Sequence, residues 1–96
     1  MGMEITVARA EIDLAALLAK LAAEGFASSI MMVDNQLRMP NAAAPAAWHD
    51  VRLKTPGGTV TLTRRGGAIA VMVFGNADAA LQEAQKRVAA AANALP

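Results

Sequence analysis

His49 and Asp50 are the one place in this chain where an imidazole and a carboxylate stand side by side. That pairing is the residue set of general-base chemistry, in which a histidine is held close to the proton it removes, often by a carboxylate. The spacing argues against it. Neighbours on a strand point to opposite faces, so Asp50 would not orient His49 once a strand has begun. The candidate hydroxyl nucleophiles, Ser28 and Ser29, lie far off in sequence. Trp48-His49, closing a loop, reads instead as a lid over the edge of a core. With one His and no Cys, thiolate nucleophiles, disulfides and thiolate metal sites are excluded, and no run of carboxylates has the spacing of a calcium loop. No catalytic residue, metal or cofactor is expected.

The glycine pairs invite a second kind of chemistry. Pro56-Gly57-Gly58 and Arg65-Gly66-Gly67 could cradle a phosphate only if they opened a helix. Each lies between two stretches of strand character, so both read as hairpin turns. Cations supply a third. Residues 1–34 carry five acids against Arg9 and Lys20, whereas residues 35–77 carry Arg38, Arg52, Lys54, Arg64 and Arg65 against Asp50 alone. Those five cations could hold phosphates as a nucleic-acid surface. Single-strand binders also need aromatic stacking platforms, and only Phe74 is available beside them. The net charge of +1 is small for such a role.

The elements that must position these residues follow from periodicity. Met3 to Ala8 alternates as a half-buried strand, with Met3, Ile5 and Val7 on its apolar side. Asp13 is placed to cap a helix whose Leu14, Leu17, Leu18 and Leu21 recur at helical spacing, with Ile12 and Leu17 closing a hydrophobic staple. Gly25 should end it in the left-handed conformation, with Phe26 folding back on Leu21. Ala27 to Val33 suits a strand, and Asp34-Asn35 a two-residue turn into Gln36–Met39. That hairpin pairs Val33 with Gln36, Met32 with Leu37 and Ile30 with Met39. It places Ile30, Met32, Leu37 and Met39 on one face. Two prolines between 40 and 47 stop regular structure there.

Val51 to Phe74 reads as a three-stranded meander. A turn at Pro56-Gly57 pairs Leu53 with Val60 and Val51 with Leu62; a turn at Gly66-Gly67 pairs Leu62 with Val71. Opposed residues share a face, so Val51, Leu53, Val60, Leu62, Ile69, Val71 and Val73 form one apolar surface. Asn76 is placed to cap a last helix with Asp78 in its first turn. Its apolar stripe is Leu81, Ala84, Val88, Ala91 and Leu95, with Gln82, Glu83, Gln85, Lys86 and Arg87 on the wet side.

The chain therefore reads as one α+β domain over residues 1–96: a single curved antiparallel sheet with two helices on one face, in the order β-α-β(4 or 5)-α. This succession is similar to that of TATA-binding-protein-like folds, and likeness of fold carries no function with it. The other sheet face holds Arg52 and Lys54, then Thr59, Thr61 and Thr63, then Ala70, Met72 and Phe74. An uncovered apolar patch beside a threonine ladder points to a protein contact, with a second copy of the chain or another protein as partner. Two other outcomes are a cover supplied from within the chain and a small-ligand site between the sheet and the Pro40–Trp48 loop, with Trp48 as a wall. No membrane span or secretory signal is seen, which together with the absence of Cys points to the cytoplasm. Met1-Gly2-Met3-Glu4-Ile5-Thr6 fits the loose myristoylation pattern, but an ordinary start running into a strand is the preferred reading. The alanine-rich, aromatic-poor composition is that of a high-GC bacterial genome.

Overall fold

A computed structural model describes residues 3–39 and 43–96. Gly2 of the myristoylation pattern and Pro40 at the start of the loop lie outside the described residues. The elements are β1 (Met3–Val7), α1 (Leu14–Ala23), β2 (Ser29–Val33), β3 (Gln36–Leu37), β4 (Asp50–Thr55), β5 (Gly58–Arg65), β6 (Ala68–Val73) and α2 (Ala79–Asn93). All six strands form one antiparallel sheet in the order β1-β6-β5-β4-β2-β3. The fold is α+β, and both helices contribute to the single core on one side of the sheet.

Local chemistry explains each element. The Asp13 carboxylate accepts from the N–H groups of Ala15 and Ala16, satisfying two donors that the first turn of α1 leaves free. At the other end Gly25 has φ 77°, the Phe26 N–H donates to Leu21 and the Gly25 N–H to Ala22. That pair of bonds is a Schellman stop. The Asp34-Asn35 turn has φ of 48° and 67°, the twist that matches a two-residue hairpin. In the meander the pairs Leu53–Val60, Val51–Leu62 and Leu62–Val71 all form as alternation dictates. Val51, Leu53, Val60, Leu62, Ile69 and Val71 are fully buried, and each such side chain is worth about 1.5–3 kcal/mol.

Four expectations fail, each for a definite reason. The face assigned to β2 is wrong, because the pairing with β4 shifts between Ile30 and Met32. The extra residue breaks the two-residue alternation. Ile30 therefore lies opposite Leu53 in the core, whereas Met32 lies opposite Arg52 on the other face. The β2–β3 ladder also stops at Met32–Leu37, so Ile30 never meets Met39. The last helix is capped by Asp78, whose side chain accepts from Leu81, and not by Asn76. Gln85 leaves the wet side: it is buried and donates through Nε2 to the carbonyl of Val71 at 2.9 Å.

Two long-range contacts tie the layers together. The Arg9 guanidinium reaches the carbonyls of Ala92, Leu95 and Pro96, closing the C-terminal end of α2 with positive charge where the helix dipole favours it. At the β4–β5 turn the Thr55 hydroxyl donates to the Gly58 carbonyl and accepts from the Gly57 N–H, and Gly57 lies directly against α2.

Candidate interaction face

Alternation places one row of side chains straight across the sheet face opposite the helices: Leu37, Met32, Arg52, Thr61, Met72 and Glu4. A second row runs Asp50, Thr63, Ala70 and Thr6. Neither described helix lies on this face, and the Asp34-Asn35 turn and Phe74 stand at its margin. Its floor is a hollow of about 150 Å³ lined by Met32, Asp34, Asp50, Thr61, Met72 and Phe74, among others.

The eight face residues read from the sequence are brought onto this surface, but not all are accessible. Arg52, Lys54, Thr59 and Phe74 are exposed, and Thr63 and Met72 are half-buried. Thr61 is only 6% exposed and Ala70 is buried, so neither presents itself to a partner. The long side chains beside them lie along the sheet. The Arg52 guanidinium is 3.8 Å from the Met32 sulfur, and that of Arg65 is 3.6 Å from the Met72 sulfur. Cover from within the chain thus comes from neighbouring side chains, and it is partial. Phe74 remains 58% exposed, and Leu37, which the sequence analysis did not place among the contact residues, is 79% exposed.

The five cations of the nucleic-acid reading are divided between both sides. Arg64 follows Val60 and Leu62 onto the helix side, where its guanidinium lies 4.2 Å from the centroid of Trp48. There it donates to the carbonyls of Trp48 and Ala10 and, with two nitrogens, to the Glu11 carboxylate. Arg65 stays on the open face but pairs with Glu4 at 2.6 Å. Arg38, Arg52 and Lys54 are exposed. The two arginines that seemed to form one basic turn point to opposite sides of the sheet.

Electrostatics at the other end of the hollow centre on Asp34. One oxygen of its carboxylate accepts the backbone N–H groups of His49 and Asp50 at 2.9 and 2.8 Å. Those two bonds, helped by the charge of His49, hold the Asp34 carboxyl below its ordinary value near 3.8. The Thr63 hydroxyl donates to Asp50 at 2.8 Å. His49 meets Asp34 through its backbone N–H and not through its ring. Asp50 was legible as a face residue, because it shares alternation with Arg52 and Lys54. Met32 was not, because nothing in the composition of β2 announces a bulge.

Trp48 is buried, and its ring packs under the Arg64 guanidinium. A hollow of about 580 Å³ beside the described part of the loop is bounded by Arg9, Ile12, Ala44, Pro45, Leu95 and Pro96. Among the described residues no group of three or more His, Asp or Glu side chains could share a metal ion, and no helix is long and apolar enough to cross a membrane. No protein-family model, curated protein or solved structure matches this chain.

Proposed function

We propose that this protein is a non-enzymatic cytoplasmic interaction module that pairs with a second copy of itself through the open face of its sheet. The observation that carries the reading is the exposure of Phe74 and Leu37 on a face that no helix covers. Met32 and Met72 lie half-buried on the same face, and an apolar stretch left uncovered in this way is a sign of a protein contact.

Charge along β4 supports a like partner. Asp50 stands at one end of the strand beside Asp34, and Arg52 and Lys54 follow towards the other end. A two-fold axis lying in the interface and running across the strands reverses β4 over its copy, so the acidic end of each faces the basic end of the other. Such self-complementarity is what an isologous contact requires. Six strands at about 4.8 Å spacing give a face of roughly 500 Å². That is below the roughly 800 Å² per partner of a standard stable interface, so the dimer should be weak and reversible.

Sedimentation velocity across the micromolar range tests the proposal. Association that grows with concentration, weakens with added salt and is reduced by Phe74→Asp and by Met72→Asp would support it. A strict monomer, or association that neither substitution changes, overturns it. The nucleic-acid reading is weaker, because Arg64 and Arg65 are already engaged within the chain.

A further inference from the structure

The two edges of the sheet are built differently. On one side β3 is only two residues long, and the bulge in β2 beside it bends the ladder. Both are devices that stop an edge from accepting another strand. On the other side β1 pairs with β6 through all five of its residues, and among the described residues nothing pairs with its outer edge. Met3 to Val7 contains no proline, glycine, lysine or bulge. Its single charge, Glu4, is drawn back over the sheet to Arg65. The apolar layer is also left unfinished along this strand. Val7 is fully buried, Ile5 is half-buried and Met3 is 46% exposed.

We propose that the free edge of β1 pairs antiparallel with β1 of a second copy, extending the sheet across a two-fold axis at Ile5. This edge is separate from the open face and does not depend on it. The register follows from the residues. Centring on Ile5 sets Met3 against Val7, Glu4 against Thr6 and Ile5 against Ile5, so every residue of both strands is paired. Opposed residues share a face, so Met3, Ile5 and Val7 join the two apolar layers while Glu4 and Thr6 stay together on the open side. Centring on Glu4 would set two carboxylates directly opposite each other, which is destabilising. Centring on Thr6 would leave Met3 and Glu4 beyond the end of the opposite strand, where the Arg9 N–H already turns back to the Val7 carbonyl.

Charge placed at Thr6 tests both the contact and its register. Thr6 is exposed and lies on the face of the sheet opposite the helices, so its substitution leaves the core intact. The measurements use the Phe74→Asp background, which silences the open face. In that background the protein should still associate, with the amides of Met3 to Val7 gaining protection from hydrogen exchange as it does. Thr6→Glu should weaken the association about tenfold, because each two-fold contact then holds two opposed carboxylate pairs. Thr6→Lys should strengthen it by a similar factor, because each lysine then meets Glu4 of the second copy. Both variants should melt within a few degrees of their parent. A monomeric Phe74→Asp protein, or a response of the same sign to both charges, overturns the proposal. Failure of the open-face reading would show instead as indifference to Phe74→Asp, so the two outcomes are distinguishable.

Discussion

Arg64 is bound to Trp48 twice over: its guanidinium stacks 4.2 Å from the indole centroid, and its Nε donates to the carbonyl of the same residue at 2.7 Å. The same side chain reaches Ala10 and Glu11, so one residue of β5 joins the segment before α1 to the segment before β4. Arg64→Ala should therefore destabilise the protein by about 2–3 kcal/mol, the loss of several hydrogen bonds from a charged donor. Arg64→Lys should recover little, because an ammonium cannot make the planar fork. Glu11→Gln should cost under about 1 kcal/mol, since Glu11 is largely in water. Urea unfolding of the three variants measures the order.

Glycines in the two meander turns should respond oppositely to the same substitution. A Cβ on Gly57 would stand 2.9 Å from that of Ala84 and press on the Ala80 carbonyl, so α2 must move. Gly57→Ala should cost about 1–3 kcal/mol, the usual penalty of overpacking. Gly67 has open space around it and no positive φ. Gly67→Ala should be neutral or stabilise by about 0.4–1 kcal/mol through the unfolded chain. Thermal melts of both variants decide it.

Asp34 makes stability depend on acid in a predictable direction. Its folded carboxyl titrates below the unfolded one, so the charged form contributes stability above the unfolded value and loses that contribution as pH falls through the folded value. Asp34→Asn keeps a residue that tolerates the left-handed turn and removes the charge. The stability gap between the parent and Asp34→Asn should be constant near neutrality and close as pH drops below about 4. Denaturant midpoints at several pH values measure the gap.

The meander and the caps of α1 could be read from the chain because each depends on neighbours a few residues apart. Alternation fixed the Leu53–Val60 and Leu62–Val71 pairs, and Asp13 and Gly25 ended their helix by local bonding. Asp78 could not be told from Asn76 in the same way, since both are good caps and the packing of α2 on the sheet selects between them. The burial of Gln85 has the same origin: it waits on the Val71 carbonyl of a distant strand. The face division of Arg64 and Arg65 was present in the alternation of β5, but proximity to the turn made them look like one cluster. For the open face, the sequence carried the rows on β4, β5 and β6. It missed Met32, whose placement depends on a bulge without a glycine or proline to announce it.

Sheet order has a consequence for how the chain assembles. Met3 lies opposite Val73, so the first strand cannot dock until nearly the whole chain has been made and β6 is in place. Hairpins close quickly because their loops are short, whereas a pairing of such long sequence separation bears a larger loop-closure entropy and comes late. Until β1 arrives, β6 is itself an open edge, apolar and able to accept β1 from a neighbouring molecule when protein concentration is high. Refolding at high concentration is therefore the condition under which two chains would exchange first strands, and slow dilution the condition that returns each strand to its own sheet.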